Sequence, residues 1–177
     1  MVERASRHLR TAAEDGFLRD ETAGDDAATQ SENAESIFSV SLSLAVGYRF
    51  QVDPVAERAA AFVIDESPPL GGGAGPSPAQ VLASAMASCL GSSLIFCFNK
   101  AHIELKSLRI VARGELVRNA RNRLRVGSIH IEIFPEVATG DTERMRRCLD
   151  LFEDFCIVTE SVRMGIPVVV GVETHAS

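Results

Sequence analysis

The chain has 177 residues, 46% of them hydrophobic, and a net charge of -6. That length supplies one sizeable core, so one domain with an extension is the expectation rather than two domains. The acidic balance, relieved only by the short basic run Arg118, Arg121, Arg123 and Arg125, argues against a nucleic-acid surface. Four cysteines in such a chain argue against a disulfide scaffold and leave packing, metal or redox use. No uninterrupted run of about 18 apolar residues occurs, and MVERASRHLR has no apolar h-region. The sequence therefore reads as soluble and cytoplasmic, without a membrane partner.

Residues 1–35 stand apart as an acidic, Ala/Ser/Thr-rich extension expected to flex, and residues 36–177 form the domain. In FSVSLSLAVGYRFQV every even position from Phe38 to Val52 is apolar, which predicts one half-buried strand bent at Gly47. DPVAER predicts a turn, and AAAFVID a returning strand. The glycines of GGGAGPSPAQ fit neither a phosphate loop nor a dinucleotide fingerprint, because no Lys-Ser or Lys-Thr pair follows them. Ser77, Pro78 and Gln80 instead form a capping box that starts a helix running to about Ala101. One face of that helix carries Leu82, Met86, Cys89, Phe96 and Cys97. Another carries Ala83, Ser84, Ala87, Ser88, Gly91 and Ser92, small enough to admit a second helix at close range.

Beyond the helix, LKSLRIVARGELV and RLRVGSIHIEIF alternate about the polar turn NARNR and predict an antiparallel hairpin. DTERMRRCLDLFEDF places Met145, Cys148, Leu149, Phe152 and Phe155 at helical spacing behind an Asp141 cap. CIVTESVRMG continues as a short helical turn closed by Gly165, and IPVVVGV is expected as a final strand. Strands grouped around two helices give an α+β fold with antiparallel sheets.

The chemistry rests on the cysteines. Seven residues separate Cys89 from Cys97 and seven separate Cys148 from Cys156, unlike the C-x2-C pairs of zinc sites, so neither metal nor cofactor is expected. His8, His102, His130 and His175 are scattered, and no nucleophile elbow supports a serine hydrolase. Cys89 and Cys97 lie about 12 Å apart along one helix, beyond disulfide reach. If a pair forms, one member comes from the second helical region.

From Asp65 to Glu173 the order DESPPLGGGAGPSPAQVLASAMASCL, strand hairpin, then FEDFCIVTESVRMGIPV resembles the OsmC/Ohr family of osmotically inducible and organic hydroperoxide resistance proteins. The specific elements are a Cys eleven residues after the helix-starting Pro78 and a second Cys ahead of the short turn. The resemblance implies an OsmC-like intertwined homodimer, with antiparallel sheets wrapped around central helices. It further implies Cys89 as peroxidatic cysteine, Cys156 as resolving cysteine, an organic hydroperoxide substrate, and a dithiol reductant such as a lipoyl group. Family peroxidases also use an Arg from the early strands and a Glu just after the helix-starting Pro. Here that position is Ala79. Arg49 is the candidate cation, its alternative being an exposed strand arginine, with Glu66 and Glu160 as substitutes for the missing carboxylate.

Peroxide reduction by a thiol requires a thiolate, hence a nearby positive group, and a second thiol that condenses with the sulfenic acid before it oxidises further. Cys97 and Cys148 match no family motif and read as packed core thiols. Two functions follow. One is a thiol peroxidase working through Cys89 and Cys156. The other is a protein of the same fold that binds a small apolar ligand and lacks efficient peroxidase activity because the Glu is absent.

Overall fold

A computed structural model describes residues 35–54, 56–138 and 142–174. The chain divides into a unit of residues 1–39 and a unit of residues 40–177, and the second carries the helices and strands of the described residues. Apart from Glu35, the expected acidic extension lies outside the described residues, as does the Asp141 cap.

The long alternating run is a hairpin, not one bent strand. β1 (Leu42–Val46) and β2 (Arg49–Val52) pair antiparallel about the turn at Gly47 and Tyr48, with Gly47 at φ 58°. A two-residue turn with positive φ matches the twist of the strands it joins. It also pairs Val46 with Arg49, an even position with an odd one. A one-residue bulge between Leu44 and Val46 then restores the pairs Leu44 with Phe50 and Leu42 with Val52. Because the bulge cancels the parity change of the turn, the sequence alternates through the reversal as if no turn were there. β3 (Phe62–Ile64) adds to β2 and completes a three-stranded sheet.

α1 (Pro78–Lys100) starts where the sequence predicts. The Ser77 side chain accepts from the Gln80 N–H, and the Gln80 side chain accepts from the Ser77 N–H at 2.8 Å. It ends in a Schellman arrangement: Ile103 N–H donates to Phe98 O and His102 N–H to Asn99 O, with His102 at φ 55°. α1 is long and apolar enough to cross a membrane, yet its Leu90, Leu94 and Phe98 edge is the core of this fold. The small-residue face divides. Gly91 is buried against the sheet, where a methyl group would sit 2.7 Å from Ile110, while Ser84, Ser88 and Ser92 are exposed.

β4 (Leu105–Arg118) and β5 (Leu124–Val137) form the expected hairpin as a second, two-stranded sheet. Its turn is organised by Asn119, whose side-chain oxygen accepts the N–H groups of Arg121 and Arg123. Leu105, Leu108, Ile131, Ile133 and Val137 from this sheet pack on the α1 core. α2 (Thr142–Leu151), a 3-10 turn (Phe152–Phe155) and α3 (Ile157–Met164) follow. They contribute Cys148, Phe152 and Cys156 to the same cluster. Burying a Leu or Phe side chain is worth about 1.5–3 kcal/mol, so the meeting of Leu94 and Phe98 with these helices is a principal stabilising contact.

α3 closes at Gly165 in the left-handed conformation, as expected. The final strand does not form. Residues 165–174 carry no strand, and Val168, Val169, Val170 and Val172 are 79–89% exposed. The alternation marks a segment suited to pairing, but a strand exists only where a neighbour accepts its ladder, and no strand of the described residues pairs with it. The described fold is thus mixed α/β, with two antiparallel sheets and three α-helices.

Candidate active site

Two helix positions bring the first pair of thiols together. Cys89 lies half-buried in the middle of α1, beside Leu90 of the core. Cys156 is fully buried at the junction of the 3-10 turn and α3, where it is the N-cap of α3. The residues C-I-V-T supply the cap spacing, with sulfur in the place usually taken by a Ser or Asp oxygen. The Cys156 sulfur accepts from the Thr159 N–H at 3.4 Å, and its S–H donates to Thr159 Oγ1 at 3.0 Å. Thr159, itself buried, thereby fixes the sulfur's direction. Both cysteines are free thiols.

Cys89 packs on the core cluster that holds Cys156, and Cys156 and the N–H groups of Val158 and Ile157 lie near enough to its sulfur to act on its ionisation. The first turn of α3 therefore donates an amide to the Cys156 sulfur and brings two others near that of Cys89. Unpaired N–H groups and the positive end of the helix dipole favour an anion there. Burial nevertheless dominates and pushes the Cys89 thiol above its ordinary range; the two amides pull it down, and the adjacent Cys156 adds to the rise. The expectation of a thiol lowered by a nearby guanidinium thus has no support from the groups that act on Cys89 in this chain.

Arg49 has another partner. Its Nε donates to Asp65 Oδ2 at 3.4 Å, with Arg49 half-exposed and Asp65 buried. The Ala74 N–H donates to the same carboxylate at 3.0 Å. That amide, then Arg49 and the Gly72 N–H, outweigh burial and hold Asp65 below the usual carboxylate range. The glycine-rich loop makes this possible by lying against β3: a Cβ on Gly75 would meet Val63 O at 2.1 Å, and one on Gly71 would meet Glu66 O at 2.3 Å. The loop thus serves the chain's own Asp65 carboxylate, in keeping with glycines that fit no phosphate loop.

The structure thus brings Cys89 and Cys156 to one core cluster and pairs Arg49 with Asp65. Of the substitute carboxylates, Glu160 pairs with Arg163, while the carboxylate that meets Arg49 is Asp65, the neighbour of Glu66. Gln80 is engaged in the helix cap. Sequence reasoning missed Asp65 and Thr159. The signal for Thr159 was its place three residues after Cys156, the spacing of a helix cap; Asp65 is reached only through the return of the glycine loop.

The sequence matches the profile of the OsmC-like protein family over residues 71–171, more than half of its length. The chain belongs to the OsmC-like family. Solved structures agree on the fold. An OsmC-like protein from Mycoplasma pneumoniae aligns with a TM-score of 0.62 at 13% identity, over 75% of this chain and 91% of its own. A protein from Psychrobacter arcticus 273-4, described as an osmotic stress induced and detoxification response protein, aligns with a TM-score of 0.59 at 17% identity, over 73% and 90%. An organic hydroperoxide resistance protein OsmC from Legionella pneumophila aligns with a TM-score of 0.54 at 13% identity, over 73% and 92%. No curated protein sequence matches. At these identities the solved structures establish the OsmC-like fold and carry no residue roles.

Proposed function

We propose that this OsmC-like protein is a thiol peroxidase that reduces organic hydroperoxides through Cys89 and Cys156. The observation that carries the reading is the packing of Cys89 on the buried cluster that holds Cys156, the N-cap of α3. The Cys89 thiolate attacks the terminal oxygen of ROOH, the O–O bond breaks, and the alkoxide takes a proton and leaves as ROH. Cys89 is then a sulfenic acid. Cys156 attacks that sulfur, water departs, and a disulfide remains. A dithiol reductant, of lipoyl type, restores both thiols by exchange and is itself oxidised to a disulfide. The amides of Ile157 and Val158 stabilise the negative sulfur before attack. The reading keeps Arg49 as the cation for a peroxide oxygen, a role that requires it to reach beyond its Asp65 partner. A reducing compartment such as the cytoplasm suits a couple that must return to the dithiol.

The working unit in this reading is an intertwined homodimer. The exposed Ser84, Ser88 and Ser92 edge of α1 offers a close-packing surface for the α1 of a second copy. The exposed valines of 168–172 have the alternation of a strand and no ladder partner among the described residues, so a second copy can supply one.

Turnover of cumene hydroperoxide with a dithiol reductant tests the reading. Activity is expected in the native chain and lost in Cys89→Ser. In Cys156→Ser, one rapid reduction followed by overoxidation of Cys89 is expected. A second reading, an OsmC-like protein that binds a small apolar ligand without efficient peroxidase activity, is favoured by the raised Cys89 pKa and by Ala79. It prevails if Cys89 reacts with hydroperoxide no faster than free cysteine does.

A further inference from the structure

The other two cysteines repeat the geometry of the first pair. Cys97 follows Cys89 by eight residues on α1, and Cys148 precedes Cys156 by eight residues in the C-terminal helices. Where two helical segments run in opposite directions, a step forward on one matches a step back on the other. If Cys89 faces Cys156, Cys97 is brought to face Cys148. The structure brings the two thiols to one cluster. Cys148 is buried in the core, Cys97 packs on the cluster that holds it, and Cys97 is near enough to help push the Cys148 thiol up. In both pairs the half-buried thiol sits on α1 and the buried one on the C-terminal segment. The couples are about 12 Å apart along α1, too far for direct exchange between them.

Cys97 is itself half-buried, unlike Cys148, and so meets solvent in part. Its neighbour Phe96 is half-exposed and meets Phe155 with ring centres 6.2 Å apart, while the Lys100 ammonium lies 5.6 Å from the Phe96 ring. Lys100 follows Cys97 by three residues, a spacing that shares a helix face. An apolar platform with a cation at its edge suits a hydroperoxide carrying an alkyl or aryl group. Burial first, and the neighbouring Cys97 next, push Cys148 up to about 11, so it is a neutral thiol at pH 7 and the opening attack falls to Cys97.

We propose that Cys97 and Cys148 form a second disulfide couple, oxidised by organic hydroperoxide independently of Cys89 and Cys156, that reversibly staples α1 to α2. Cys97 attacks the terminal peroxide oxygen, the O–O bond breaks and ROH leaves. Cys148 then attacks the Cys97 sulfenic acid and releases water. Two thiols and one ROOH become one disulfide, ROH and water, with Cys97 and Cys148 oxidised and the peroxide reduced.

The test uses the full chain carrying Cys89→Ser and Cys156→Ser, with its fold checked by circular dichroism. The protein is treated with cumene hydroperoxide, alkylated, and mapped by mass spectrometry. The expected result is loss of both remaining thiols, a mass lower by two hydrogen atoms, a linked Cys97–Cys148 peptide, and full reversal by dithiothreitol. Both cysteines staying alkylatable, or Cys97 reaching sulfinic acid beside a free Cys148, overturns the proposal. In the native chain, a Cys89–Cys156 link without a Cys97–Cys148 link keeps the peroxidase reading and removes this one. The converse keeps this one and removes the assigned roles of Cys89 and Cys156. Should the double variant fail to fold, Cys148→Ala in the native chain serves instead. Trapping of a Cys97 sulfenic acid by dimedone must then rise above the native level, and an unchanged level counts against the couple.

Discussion

The two cysteine pairs of this protein share a helix, a spacing and a pattern of burial, yet their surroundings differ. Cys89 and Cys156 lie at the start of α3, where the Thr159 amide donates to the Cys156 sulfur and the amides of Ile157 and Val158 lie near that of Cys89. Cys97 and Cys148 meet inside the apolar cluster of Leu94, Phe98 and Phe152, and the shift of Cys148 comes from burial and from its partner alone. The comparison separates contact from activation. Adjacent thiols make a disulfide geometrically available, whereas donors aimed at the sulfur decide how readily one thiol ionises and attacks.

The largest consequence is a difference in rate. A hydrogen bond to a charged group is worth about 1.5–3 kcal/mol, so the amides at Cys89 are expected to speed its couple by roughly tenfold or more over the inner one. Time-resolved alkylation after hydroperoxide addition measures both; equal rates would show that the α3 amides do not activate Cys89.

Alkaline pH sharpens the contrast next. Cys148 has its folded pKa raised to about 11 from an ordinary 9.0. Its contribution to stability is therefore fully present below about pH 9 and is lost as pH rises toward about 11. Urea unfolding of the native chain is expected to weaken across that window, and Cys148→Ala to show a flatter profile. A parallel decline in both proteins would contradict the burial argument.

A smaller effect is expected from Thr159→Val, which deletes the hydroxyl that orients Cys156 and leaves the backbone N–H in place. Stability should drop by about 1 kcal/mol, and resolution of the Cys89 sulfenic acid should slow while the initial attack does not. Dimedone trapping separates the two steps. Arg49→Ala should have the least effect on Cys89, because Arg49 is bound to Asp65 and is not among the groups that shift Cys89 in this chain. An unchanged alkylation rate is expected. A large fall would mean that the guanidinium does reach Cys89 in the protein as it works in solution.

How much of this was legible in the sequence depends on how local each determinant is. Both limits of α1 could be read, because Ser77, Pro78 and Gln80 act within one turn, and so could the β4–β5 hairpin and the stop at Gly165. The β1–β2 reversal was hidden by the bulge that restores parity after Gly47 and Tyr48. IPVVVGV has strand chemistry but no ladder partner among the described residues, a fact no local pattern contains. In the site, Cys89 and Cys156 could be picked out by their place in an OsmC-like motif. The hold of Asp65 on Arg49 could not, since it depends on a glycine loop folding back on β3 through contacts far apart in the chain. The Cys97–Cys148 contact was hidden for the same reason, although the equal spacing of eight was there to be seen.

The most direct test of the central claim is disulfide mapping of the native, reduced protein after one equivalent of cumene hydroperoxide. The account predicts that the first product is a Cys89–Cys156 disulfide, formed while Cys97 and Cys148 are still mostly alkylatable. A protein in which Cys89 advances to sulfinic acid while Cys156 stays free, or in which Cys89 remains a thiol, would contradict it.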